Sequence, residues 1–125
     1  MPKRILVAED QPNLRSNVQK AVLEEGFECL AVCNGQEAVE AFNADSFDLI
    51  IMDLNMPEKG GFQATKEIRA IEAKKRLKPI PIIAFTSHGE EVMAQCLDCG
   101  MDDFASKCEG REYLVTKVRF LLGPA

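Results

Sequence analysis

Short apolar runs that stop at a polar residue, alternating with stretches of helical period, constrain this chain more than any other feature. Ile5-Leu6-Val7-Ala8 ends in Glu9-Asp10, Leu49-Ile50-Ile51-Met52 ends in Asp53, and Pro81-Ile82-Ile83-Ala84-Phe85 ends in Thr86. Cys29-Leu30-Ala31-Val32 reads as a further strand, and a short one near Asp103-Phe104-Ala105-Ser106 reaches Lys107. Between these runs the apolar residues recur at helical spacing: Leu14, Val18, Ala21 and Val22; Ala38, Val39 and Phe42; Ala64, Ile68 and Ile71. Val92, Cys96 and Cys99, then Leu114, Val118, Leu121 and Leu122, continue the pattern. Pro12 suits a first helical turn and Gly26 the position past its end; Asn34-Gly35, Pro57 and Gly60-Gly61 mark turns and loops. Five strand–helix units with strands apolar throughout predict a parallel sheet covered by helices on both faces. The crossovers should be right-handed.

With 125 residues, the chain has the length of one ordinary domain with its own core. We expect a single domain over residues 1–125, with no effector domain. Only Gly123-Pro124-Ala125 follow Leu122, and Met1 suggests a natural beginning, with excision from a longer protein as the alternative. No run of eighteen apolar residues exists to span a membrane. Only four apolar residues precede the first carboxylates, too few for a secretory leader. A net charge of -5 argues against direct nucleic-acid binding, which rests on neutralising phosphates. The basic cluster Lys74-Lys75-Arg76-Leu77-Lys78, ahead of Pro79, reads as a solvated loop. Five cysteines fit free thiols in a reducing compartment, hence a cytoplasmic location. Cys96 and Cys99 share a helical stripe with Val92 and read as core residues rather than a metal pair.

Polar groups fall at the carboxyl ends of four strands: Glu9 and Asp10, Asp53, Thr86 and Lys107. Open parallel sheets bind ligands outside those ends, where strand order reverses. Singly, each residue has an ordinary explanation as a turn former, a helix cap or a solvated side chain. Together they place three carboxylates where mutual repulsion calls for a cation. Hard oxygen ligands of this kind suit Mg²⁺. Lys107 adds a point charge and Thr86 a hydroxyl, both fitted to a phosphoryl oxygen.

Val7-Ala8-Glu9-Asp10-Gln11, the stretch from Asp48 to Pro57 with Gly61 behind it, Pro81 to Thr86 and Gly100 to Lys107 occur in that order. In them the chain resembles the receiver domain of two-component response regulators. The resemblance covers about Lys3 to Leu122. It implies a three-layer (βα)5 doubly wound fold of the flavodoxin-like, CheY-like kind, with five parallel strands in the order 2-1-3-4-5. It implies that Asp53 accepts a phosphoryl group from a histidine on a sensor histidine kinase or histidine phosphotransfer protein. Mg²⁺, or Mn²⁺, would be held by Glu9, Asp10, Asp53 and the backbone carbonyl of Asn55. Thr86 would close onto the phosphoryl group, Lys107 would pair with it, and Phe104 would turn as Thr86 moves. The surface of the fourth helix, fifth strand and fifth helix would then change for a downstream protein. The module is expected to be monomeric or weakly homodimeric, with no catalysis beyond its own phosphorylation and dephosphorylation.

Asn55 and His88 stand at the two positions that, by the resemblance, tune hydrolysis of the acyl phosphate. His88 on its own reads as an exposed loop residue. Cys108 follows Lys107 where the family usually has proline after a cis peptide, so the loop is either strained or trans. Cys108 is also the one thiol placed for reactivity. A Mg²⁺-dependent phosphohydrolase using Asp53 as nucleophile is the alternative, although a general acid is missing and the second position after Asp53 is Asn55. A flavin-binding domain fits less well, because Glu9-Asp10-Gln11-Pro12 would repel a phosphate. No glycine-rich nucleotide fingerprint occurs.

Overall fold

The apolar runs become strands and the periodic stretches helices. The structure, a computed structural model, describes residues 2–123. Met1, Pro124 and Ala125, on which the expectation about the chain's limits partly rests, lie outside the described residues. The strands are β1 (Arg4–Ala8), β2 (Glu28–Val32), β3 (Leu49–Asp53), β4 (Ile82–Thr86) and β5 (Asp103–Ser106). The helices are α1 (Pro12–Glu24), α2 (Gly35–Ala44), α3 (Gly61–Lys75), α4 (Met93–Cys99) and α5 (Gly110–Leu122). Short 3-10 turns at Glu90–Val92 and Lys107–Glu109 lead into α4 and α5. All neighbouring strands pair in parallel, in the order β2-β1-β3-β4-β5.

Local chemistry sets the helix ends. The Gln11 side chain accepts the Leu14 N–H at 2.7 Å, with Pro12 opening α1. Asn34 caps α2 by accepting the Glu37 N–H at 2.8 Å. Such caps satisfy amides that the first helical turn leaves without partners. Gly100, at φ 107°, ends α4 in the left-handed conformation that glycine adopts without a Cβ penalty.

Period-2 alternation divides the core. Leu6, Ala8, Ile50, Met52, Ile82 and Ala84 pack with Ala38, Phe42, Ala64, Ile68, Cys96 and Cys99, so α2, α3 and α4 cover that face. Ile5, Val7, Leu49, Ile51, Ile83, Phe85 and Ala105 meet Val18, Val22, Leu114 and Val118 of α1 and α5 on the other. Each large side chain buried in this way contributes about 1.5–3 kcal/mol.

Two sequence expectations need correction. Lys74 and Lys75 are the last turn of α3, not loop, and the chain leaves the helix only at Arg76, φ 56°. Cations there are favourable against the partial negative charge of a helix C-terminus. β2, an edge strand, is covered only in part: Val32 packs against the α2/α3/α4 core, while Leu30 is 40% exposed. Cys29, in β2, packs partly against the α1/α5 core. Cys96 and Cys99 are buried free thiols, as their stripe implied.

Candidate functional site

The alternation that builds the core also aims the polar residues. Leu49 and Ile51 face α1 and α5, so Asp53, two residues on, falls on that side. Glu9 continues the parity of Ile5 and Val7, and Lys107 that of Ala105. The strand ends therefore converge from three separate segments on one corner. Gly61 lets α3 close over it, since a Cβ there would stand 2.2 Å from the Asp53 carbonyl oxygen.

Lys107 Nζ lies 2.9 Å from Glu9 Oε1 and 3.2 Å from Asp53 Oδ1. Glu9 is 1% and Asp53 2% exposed. Asp10 is exposed, yet Glu9, Asp10 and Asp53 each offer an oxygen within 4.8 Å of the others. Opposite ligands of one Mg²⁺ stand roughly 4.2 Å apart, so this all-oxygen set needs little contraction to fit such an ion. The corner opens into a cleft of about 560 Å³, lined also by Gln11, Asn17, Asn55 and Ser87.

Backbone and side-chain bonds fix the rim. The Gln11 N–H donates to Glu9 Oε2 at 3.1 Å, and Arg15 donates to the Glu9 carbonyl at 3.0 Å. The Asn55 N–H reaches Asp53 Oδ1 at 3.4 Å. Burial, then the neighbouring Glu9 carboxylate, push the Asp53 carboxyl up to about 7, against the opposing pull of Lys107. For Lys107 burial opposes the charge, but the two carboxylates outweigh it and hold the ammonium above its ordinary range.

Thr86 has the opposite parity to Asp53. It is wholly buried, and its hydroxyl meets His88 rather than the cleft; Ser87, one residue on, lines the cleft instead. Phe104 shares the parity of Thr86, pairs with Ala84 in the sheet and packs at the margin of the α2/α3/α4 core. Those two expected switch residues thus lie on one face of adjacent strands. His88 is exposed as expected, but its Nδ1 stands 3.1 Å from Thr86 Oγ1 and 3.3 Å from Asn55 Nδ2. No cis peptide occurs among the described residues, so Lys107–Cys108 is trans. The Cys108 N–H donates to Ser106 Oγ at 3.2 Å, a bond that proline could not make.

Known proteins share this chain's sequence pattern and fold. The family model described as the response regulator receiver domain matches residues 5–119. The chain is 39% identical over 105 residues to the sensor protein GacS of Pseudomonas syringae pv. syringae, covering 83% of this chain and 12% of that protein. It thus spans about an eighth of the length of that relative. Among solved structures, the receiver domain of the Pseudomonas aeruginosa PAO1 sensor histidine kinase PA1611 is 31% identical, with TM-score 0.85 over 98% of this chain and 99% of that one. That structure has a magnesium ion coordinated in its active-site cleft. The response regulator TrrA of Thermotoga maritima, in complex with Mg(2+)-BeF, is 32% identical, with TM-score 0.82 over 96% and 99%.

Proposed function

The chain belongs to the response regulator receiver domain family, and on that premise we propose that Asp53 is its phosphoryl acceptor. One observation carries the assignment: Asp53 is buried at the end of a central strand, paired with Lys107 and within 4.8 Å of two further acids. An Asp53 oxygen attacks the phosphorus of a phosphohistidine on a sensor histidine kinase or histidine phosphotransfer protein. The P–N bond breaks, the P–O bond forms, and the imidazole leaves. Such a transfer asks the protein for positioning and countercharge rather than for covalent help.

Glu9, Asp10, Asp53 and the Asn55 carbonyl would hold Mg²⁺ or Mn²⁺, and the bound ion supplies positive charge to the transferring oxygens. Asp53 must be ionised to attack, and its proton is held up to about pH 7 by burial and by Glu9. Lys107 opposes that penalty and keeps one ammonium on the acceptor. The added phosphate draws Thr86 inward, and Phe104, on the same face of the next strand, follows. The altered surface is that of α4, β5 and α5, where Met93, Leu97 and Tyr113 stand exposed. A downstream protein reads it. The chemistry is confined to the domain's own phosphorylation and dephosphorylation. No helix among the described residues is long and apolar enough to cross a membrane, and five free thiols suit a cytoplasmic setting.

Incubation with Mg²⁺ and acetyl phosphate is expected to add one base-labile phosphoryl group, seen by mass spectrometry and lost in Asp53→Asn. Uptake that survives Asp53→Asn, or rapid multiple turnover of phosphomonoesters, would overturn the assignment in favour of another acceptor or of a hydrolase.

A further inference from the structure

Thr86 is wholly buried, so its hydroxyl proton needs an acceptor, and leaving it without one is costly. The hydroxyl oxygen accepts the His88 N–H at 3.0 Å. His88 Nδ1 stands 3.1 Å from the same oxygen, and the Asn55 Nδ2 amide, which can only donate, approaches that Nδ1 at 3.3 Å. In the Nε2–H tautomer the single lone pair of Nδ1 is the acceptor: the Thr86 hydroxyl donates to it at the shorter distance and the Asn55 amide shares it at the longer one. A hydroxyl has one proton. While Thr86 gives it to His88, it cannot give it to a phosphoryl oxygen on Asp53.

We propose that His88 is a positioning residue: its imidazole, steadied by the Asn55 amide, latches the Thr86 hydroxyl on the α4 side of β4 and holds the domain in its resting state. The proposal builds on the phosphoryl-acceptor reading, because the latch matters only if Thr86 has a second place to go. Stabilising the resting arrangement reduces the apparent affinity of any ligand that needs the closed one. Removing the side chain leaves the buried hydroxyl without its acceptor and tips the balance toward closure. Asparagine at 88 can present an amide oxygen where Nδ1 accepts, and so restores the latch.

The test is a titration with beryllofluoride at saturating Mg²⁺, followed by fluorine NMR, since this phosphoryl mimic is not hydrolysed. His88→Ala is expected to tighten the apparent Kd about three- to tenfold, the scale of one or two lost hydrogen bonds. His88→Asn should match the wild type. In a Thr86→Ala background, His88→Ala should change nothing, which separates a latch on that hydroxyl from a general loosening of the loop. Mg²⁺ affinity, measured alone, should be the same in every variant. Unchanged or weaker beryllofluoride binding in His88→Ala, or equal tightening without the Thr86 hydroxyl, overturns the latch alone. Failure of the wild type to bind beryllofluoride at all overturns the phosphoryl-acceptor reading, and the latch with it.

Discussion

Asp53 is the residue on which charge, burial and chemistry meet, and its titration leaves a mark on stability. The unfolded chain gives up this proton near the ordinary value of 3.8, the folded one near 7. Between those values the folded state binds more protons, so stability falls as pH rises through the window. The penalty is absent below both values and complete above them. Asp53→Asn removes it. Urea unfolding of the chelator-treated protein should show the variant more stable by on the order of 1 kcal/mol at pH 8, with the advantage vanishing near pH 3.5. A variant less stable at pH 8 would mean that the Lys107 pair outweighs the cost of burial. Asp10 is exposed at the cleft mouth. Asp10→Ala is expected to weaken Mg²⁺ binding at least about tenfold, by calorimetry, while circular dichroism stays unchanged.

Among the elements, the most consequential tie not made by apolar packing runs through Arg69 in α3. Its guanidinium donates to the Gly100 carbonyl at 2.9 Å and, at 2.8 Å each, to Glu72, the Ile80 carbonyl and Asp102. Glu72 is buried and also accepts the Ile80 N–H at 2.9 Å, while Asp102 accepts the Ile82 N–H at 2.8 Å. One cation thus fastens the end of α3 to the entry of β4 and the exit of α4. Truncating one partner of a buried ion pair strands the other, so Arg69→Ala should cost about 3–5 kcal/mol in chemical denaturation. None of this was legible in the chain, because three charges spread over 33 residues carry no periodic signal. The strand ends were legible, because an apolar run that stops at a polar residue is visible without a fold. Parity was available too: counting in twos from Ile83 and Phe85 separates Thr86 from Asp53 and brings Ser87 to the cleft. The latch of His88 on Thr86 depends on side-chain rotamers, which residue types do not encode. The open edge of β2 follows from strand order, which composition leaves free and the family resemblance supplied.

For the molecule as a whole, the two apolar layers share one sheet, so neither can be lost without exposing the other's strands. A single cooperative unfolding transition is expected, with fluorescence of the lone tyrosine and circular dichroism coincident. Ligand linkage adds to it: Mg²⁺ at ten times its dissociation constant should stabilise by about 1.4 kcal/mol and raise the melting temperature by a few degrees. An unchanged melting temperature would mean that the acidic corner takes no ion in the folded state. That corner has a further property, owed to the ammonium lodged between Glu9 and Asp53. Because the lysine already offsets the two buried acids, a cation entering beside it would meet carboxylates held close together instead of assembling a nest from scattered pieces. A receptacle held ready in this way could be filled and emptied many times without the surrounding architecture having to be rebuilt.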